Sequence, residues 1–489
     1  MTLQRFIKLL VTAGAVLVTL ALMWIFMNYG LKILIPSLVV MGVFALMLFF
    51  RDLKTPFFYM LVVILPIYIA RYLVPIPDVE HPGVLNVPVL YSYEIPLYMF
   101  LIVWLFEFVA GRGATLHLPR TTAPLALLFV PAFISTFFGL DYTFGMFELV
   151  RMAEMLLVFL MVANYLKTDR QLKIIIVLLG LSILAQSLLA GAQFLAPGQV
   201  YDFLAKFGIY MGISHARPYD PTSPIRACGT TGYCNALAGY FELTLPLFMA
   251  FFLFYPMEKK NRWLIGILLV VALAALLLTY SRGGLFSIAV GVVALLMIGA
   301  RRFPQLRRDA LRISLVAGAQ FAIVIILFAE KLLIRLRFFM TSSMEDEVRV
   351  ALIRDAVEMV KHHPFIGVGL NNYPEAFPLY EITGLKFELF YPVHNTWLLI
   401  TAEQGFIGLA FFLLFMYFIY LDGRRAVRDP ARFRAVTAVG LAAGLVGWAA
   451  HNLVAPLYQN WLVNRITFIF VIAVLAVLPR LRGEDADGS

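Results

Sequence analysis

Arg226, Arg282 and His394 are residues of reactive type in positions where those types are unexpected. All three fall in polar links between long apolar runs, and the charge pattern of the chain puts those links on the side of a membrane where arginine is under-represented. A guanidinium presents a planar fork of donors that matches phosphate oxygens, so arginines gathered on one membrane face suit a lipid diphosphate. Arg349 and Arg354, further along, could add donors to the same ligand. His394 stands where polar sequence gives way to apolar, beside Asn395, and an imidazole of near-neutral pKa can take the proton of an attacking hydroxyl. Plainer readings stand beside these. An interfacial arginine can simply extend to headgroups, and a lone boundary histidine is more often hydrogen-bonded structure. His451-Asn452 repeats the His394-Asn395 dipeptide and serves as an internal control.

The elements that must position these residues centre on Lys331 to His394, the longest stretch that cannot lie in hydrocarbon. Ser342 and Ser343 followed by Glu345, Asp346 and Glu347 form a hydroxyl-then-acid pattern that caps a helix start. Val348, Leu352, Ala356, Met359 and His363 then recur at helical spacing, leaving Arg349, Arg354, Glu358 and Lys361 to other faces, so an amphipathic helix is expected. His363-Pro364-Phe365-Ile366-Gly367-Val368-Gly369 ends it. Asn395 to Gln404 reads as a short interfacial helix, ended by Gly405 before a membrane span.

Of the 489 residues 62% are hydrophobic and 14% charged, which marks a polytopic membrane protein. The apolar runs are long and continuous rather than alternating, so the spans are helices and not barrel strands. Runs at Phe6–Tyr29, Leu31–Phe50, Phe57–Val74, Ile95–Ala110, Ala123–Leu140, Gly145–Leu166 and Leu172–Ala196 give the first spans. Ala236–Tyr255, Trp263–Tyr280, Leu285–Gly299, Ile313–Ala329, Phe406–Leu421, Ala435–Ala450 and Trp461–Leu478 give the rest. The fold class expected is all-α, with roughly 14 transmembrane helices, or 12 as the alternative, and a long, partly helical periplasmic loop. The organisation expected is an N-terminal set of spans over 1–196 and a catalytic core over 197–421 with outward loops 197–235 and 331–394. A C-terminal pair over 422–478 and a cytoplasmic tail over 479–489, disordered from Glu484, complete it.

The formal net charge of +10 would suggest nucleic acid in a soluble protein. Here the basic residues cluster in short links between apolar runs, which sets topology instead, so membrane lipids and not nucleic acid are the expected surroundings. Arg5 and Lys8 precede an apolar run without a cleavage pattern, which reads as a retained first span. Cys228 and Cys234 share one outward loop and could pair if that side is oxidising. Glu148, Arg151 and Glu154 lie inside an apolar run at helical spacing, either as a functional group or paired along one helix face, and Arg465 is placed to snorkel. No His/Cys metal spacing, Walker loop or nucleotide fingerprint occurs, so no cofactor is expected.

Four pieces of the chain, in order and spacing, resemble the O-antigen ligase and O-antigen polymerase superfamily. They are Arg226-Ala227-Cys228-Gly229 with Asn235; Thr279-Tyr280-Ser281-Arg282-Gly283; Arg349 onward to His363-Pro364-Phe365-Ile366-Gly367-Val368-Gly369; and His394-Asn395 with Glu403-Gln404-Gly405-Phe406-Ile407-Gly408. The resemblance covers about Arg226 to Leu421 and implies a glycosyltransferase at the outer, periplasmic face of the bacterial inner membrane. It implies no nucleotide sugar and no metal, and a glycan on undecaprenyl diphosphate as donor. It also implies that Arg226 and Arg282 bind the diphosphate, with Arg349 or Arg354 as a further donor, and that His394 activates the acceptor hydroxyl. A base on the face of the sugar opposite the leaving group would give inversion. A ligase would take a sugar of the lipid A core as acceptor and a polymerase the next lipid-linked repeat unit; the expectation leans to ligase. A transporter or flippase for the same lipid, motivated by Glu148, Arg151 and Glu154, is the alternative of another class, but no internal repeat supports it. A scaffold in a polysaccharide export assembly is a third.

Overall fold

The computed structural model describes residues 52, 54–72, 89–109, 116–206, 226–306, 344–382, 392–458 and 462–483. Crossing a hydrocarbon core of about 30 Å takes a helix of roughly 20 residues, and several helices in the first part of the chain fall short of that. Helices α1 (Lys54–Ile64) and α2 (Glu94–Val109) are too short. Between them β1 (Ala70–Tyr72) pairs antiparallel with β2 (Val89–Tyr91), a small hairpin in an otherwise all-α fold. The apolar run from Ala123 to Leu140 is divided between α3 (Thr122–Leu127) and α4 (Phe129–Phe138). Helix α5 (Tyr142–Tyr165) is long enough but carries Glu148, Arg151 and Glu154.

The remaining helices are α6 (Asp169–Leu195), α7 (Pro197–Lys206), α8 (Cys234–Phe254), α9 (Lys259–Leu278), α10 (Arg282–Arg302) and α11 (Met344–His362). They are followed by α12 (Tyr373–Tyr380), α13 (Thr396–Val427), α14 (Arg432–His451) and α15 (Leu462–Val477). Among the described residues seven helices are long and apolar enough to cross a membrane: α6, α8, α9, α10, α13, α14 and α15 with its short extension to Arg480. This corrects the expected 14 or 12 spans. An apolar run need not be one helix: those at 57–74 and 123–140 are cut by a hairpin and by a break at Leu128, while the helix over the run at 95–110 has only 16 residues. The spans expected at Phe6–Tyr29, Leu31–Phe50 and Ile313–Ala329, the Ser342-Ser343 cap and the tail from Glu484 lie outside the described residues.

Helices α8 and α15 are enclosed on almost every side, whereas α6, α9 and α10 leave most of their apolar surface outward, as lipid-facing helices do. Helix α14 packs between α8 and α10. Small residues make that possible, since a Cβ on Gly444 would lie 2.9 Å from the Leu243 carbonyl oxygen and one on Gly447 2.6 Å from that of Ser287. Helix α13 is two helices abutting at Gly405 (φ 65°), the break that the sequence places there.

Chain direction sorts the loops between two ends of this bundle. Helices α8, α10 and α13 begin at the end where α9 and α14 finish, and the Arg226 loop, the 279–282 turn and the 392–395 loop collect there. Arg302, Arg432 and Arg434 belong to the other end.

Candidate functional site

The Arg226 loop and the Arg282 turn meet. Ala227 N donates to Leu278 O at 2.9 Å, Arg226 Nε donates to Thr279 O at 2.9 Å, and another guanidinium nitrogen donates to Asn235 Oδ1 at 2.7 Å. These bonds fix the plane of the guanidinium beside the starts of α8 and α10. Tyr280 takes a left-handed conformation (φ 50°), which costs a non-glycine residue about 1 kcal/mol or more and turns the chain sharply out of α9. Ser281 then caps α10, its Oγ accepting from Gly284 N at 3.2 Å, so Arg282 is the first residue of a 21-residue helix. A cation there adds to the positive end of the helix dipole, a combination that repels other cations and attracts anions. The same loop carries the Cys228–Cys234 disulfide, so the two cysteines that could pair do so.

His394 lies just before α13 and keeps some solvent exposure, while its Nδ1 is enclosed and finds no hydrogen-bond partner among the described residues. Burial of the ring, with the Arg349 cation as the second cause, pushes its pKa from 6.5 down to about 4, so the imidazole is neutral at physiological pH. The Arg349 charge is thus felt at His394. Arg354 is not in that group: it is exposed, and five residues along a helix carry it about 140° round α11 from Arg349.

The scaffold that brings α11 against α13 is made by two glycine motifs locked together. Val368 N donates to Ala402 O (2.9 Å) and Gly369 N to Glu403 O (3.0 Å), while Phe406 N returns a bond to Pro364 O (2.7 Å). Gly367 (φ 78°) and Gly405 (φ 65°) each need the left-handed region, and a Cβ on either would lie 2.2 Å from a backbone carbonyl carbon of the opposite motif. Of the expected inner face of α11, Leu352, Ala356 and Met359 are buried with Val348 against them, whereas His363, read on the same face, is exposed with its Nε2 2.6 Å from Tyr380 Oη. A second apolar stripe, Val350, Ile353 and Val357, escaped the sequence reading and stays exposed. Beside it an open, largely apolar groove of about 600 Å³ runs from Asn395 past Val360, Trp397 and Leu398 to Phe406 and Leu409 on the spanning part of α13, with Lys361 also lining it.

The charges inside the apolar run do not pair along α5. Glu148 forms a buried ion pair with Arg465 of α15, which is 2% exposed and does not snorkel. Glu154 accepts from Tyr93 Oη at 2.5 Å and from Tyr98 Oη, and Arg151 stacks over the Tyr91 ring at 4.1 Å. Glu148 and Arg465 also line a small cavity with Met152, Gln404, Phe412 and Tyr458, and Arg151 Nε and Nη1 and Arg465 Nε find no hydrogen-bond partner among the described residues.

His451-Asn452 is no independent control. Thr396 N donates to Asn452 O (2.9 Å) and Thr396 Oγ1 to Asn452 Oδ1 (2.6 Å), which puts the second dipeptide against the segment that carries the first. The repeated His-Asn pair was the visible signal; its meaning depended on a contact across more than fifty residues.

The fold and this site define a multi-pass α-helical membrane protein with a polar end built from arginines at helix starts and a neutral imidazole. Residues 267–413, which include Arg282, Arg349, Arg354 and His394, match the family model Wzy_C, described as O-Antigen ligase. The protein is thus a membrane protein with an O-antigen ligase domain, in agreement with the superfamily that its motifs resemble. No curated protein matches the chain in a sequence comparison.

Proposed function

We propose that the protein transfers a glycan from undecaprenyl diphosphate to an acceptor hydroxyl at the periplasmic face of the bacterial inner membrane, acting as a ligase on a lipid A-core acceptor. The observation that carries this reading is the junction of the Arg226 loop with the Arg282 turn, two guanidinium groups at the positive ends of helices on the same end of the bundle as His394. His394, neutral at physiological pH, accepts the proton of the acceptor hydroxyl. The freed oxygen pair forms a bond to the anomeric carbon, and the bond from that carbon to the phosphate oxygen breaks with its electrons going to the diphosphate. Base and leaving group act on opposite faces, so the linkage inverts. Negative charge grows on the departing diphosphate, and Arg226 and Arg282 stabilise that charge more than the ground state, each by about 2 to 4 kcal/mol. Guanidinium groups meet the charge that a metal ion would otherwise meet, and Arg349 is available as a further donor.

The groove from Asn395 to Leu409 suits a substrate with a hydrocarbon tail, being continuous with the bilayer-facing part of α13. The disulfide beside Arg226 and the gathering of arginines at the opposite end of the bundle both favour a periplasmic site. The description of the matched family favours ligase over polymerase. The test is product analysis with purified protein in nanodiscs supplied with undecaprenyl-diphosphate-linked glycan and lipid A core. Glycan joined to the core lipid supports the proposal; longer glycan still on polyprenyl diphosphate makes the protein a polymerase, and lipid flux without transfer makes it a transporter.

A further inference from the structure

We infer that His451-Asn452 is a spacer that fixes the separation between the arginine turn and the histidine loop, so that both act as positioning residues for the transfer. His451 is the last residue of α14 and is 1% exposed. Its Nδ1 lies 2.6 Å from Glu242 Oε1 on α8, and its opposite edge rests on Gly283, where an added Cβ would fall 2.3 Å from Nε2. Gly283 directly follows Arg282. Asn452, also 1% exposed, faces the other way. Its Oδ1 accepts from Thr396 Oγ1 (2.6 Å) and from Tyr458 N (3.2 Å), its Nδ2 donates to Trp448 O (2.7 Å), and its carbonyl accepts from Thr396 N (2.9 Å). Thr396 lies two residues past His394. Consecutive residues at a helix end point about 100° apart, so the end of α14 can serve two elements at once.

The contacts therefore run without a gap from Arg282 and Gly283, through His451 and Asn452, to Thr396, Asn395 and His394. Every bridging side chain is buried, where hydrogen bonds are short of competing water and a bond left unmade is costly, so the spacing is stiff. In-line displacement needs a fixed distance between the group holding the diphosphate and the base. A displacement of about 1 Å costs on the order of 100-fold in rate.

This inference rests on the proposed transfer only for its kinetic readout. Thr396→Val removes the hydroxyl at constant shape, and Thr396→Ser restores it. The expected result for Thr396→Val is a fall in kcat of about 100-fold with donor KM within about twofold, and a native kcat for Thr396→Ser. Gly283→Ala, which pushes on the His451 ring, is expected to lose kcat in the same way. Native kcat in Thr396→Val, or equal losses in the Val and Ser variants, overturns the spacer. A second measurement is independent of activity: spin labels at Phe286 on α10 and Lys361 on α11, both exposed, should give a narrow distance distribution that broadens in Thr396→Val and Gly283→Ala. An unchanged distribution overturns the spacer whatever the activity. A broadened one in a protein that transfers nothing from any polyprenyl-diphosphate donor retains the spacer and rejects the transfer.

Discussion

At one end of the bundle Arg302 donates to Val427 O (2.8 Å) and Asp429 O (2.7 Å), and Arg432 donates to Phe254 O (2.9 Å); at the other, Arg282 opens α10 and Arg226 spans Thr279 and Asn235. The first set meets the carbonyl ends of α13 and α8, where the helix dipole welcomes a cation and the carbonyls would otherwise lack donors. The second set stands at amino ends, where the dipole is already positive and no stability follows from adding charge. The same residue type thus meets carbonyl ends at one end of the bundle and adds to the positive ends of helix dipoles at the other. The positive field there is a reason to look for an anionic substrate.

The comparison breaks if the two ends respond alike to mutation. Arg282→Gln should lower turnover by roughly 100- to 1000-fold while leaving thermal unfolding close to native, and His394→Ala should do the same; Arg226→Gln should lose turnover as far and some stability besides, because its bonds to Thr279 O and Asn235 Oδ1 go with it. Each is checked by turnover and unfolding of the same purified sample. Next in size is Glu148→Gln, which strands Arg465 in a buried site and should cost about 3 to 5 kcal/mol of stability, read from unfolding, with turnover per folded molecule unchanged. Loss of turnover at native stability would instead join that pair to the site. Arg302→Gln should cost about 2 kcal/mol of stability and no turnover.

A pH profile sharpens the picture with a smaller effect. In the proposed transfer the neutral His394 imidazole is the active form, and its pKa is lowered to about 4, so kcat/KM should stay level from neutrality down to about pH 5 and fall only as pH drops through about 4. Arg349→Gln removes the second cause of that lowering and should move the acid limb upward. The move should stop short of 6.5, because burial, the larger cause, remains. A limb already at 6.5 in the native protein would place the titrating base elsewhere. Smallest of all, EDTA should leave turnover unchanged.

Much of the site was legible because its residues break rules that the rest of the chain obeys. Arginines on the uncharged side of the membrane stood out, as did a histidine at a boundary. Two glycine-rich motifs marked where helices stop and the chain turns, and Gly367 and Gly405 take left-handed conformations there; that the two motifs lock together was not legible. Glu148 and Glu154 stood out by the same logic, yet their partners, Arg465, Tyr93 and Tyr98, lie far off in the chain and could not be read from it. The second stripe of α11 was missed because Val350, Ile353 and Val357 do not belong to its packed face. His451-Asn452 was read as an internal control because nothing local distinguishes it from His394-Asn395.

By itself the sequence determined that this chain is built of helices for a membrane, where a broken helix must fall at Gly405, and which side chains are chemically able to hold a diphosphate or take a proton. Those are properties of composition, period and residue type. Tertiary structure alone decided how many apolar runs become spanning helices among the described residues, which charges find partners, and that the end of α14 sits between Arg282 and His394. Such outcomes depend on contacts between residues far apart in the chain, and distance along a polymer carries no information about distance in space once it has folded.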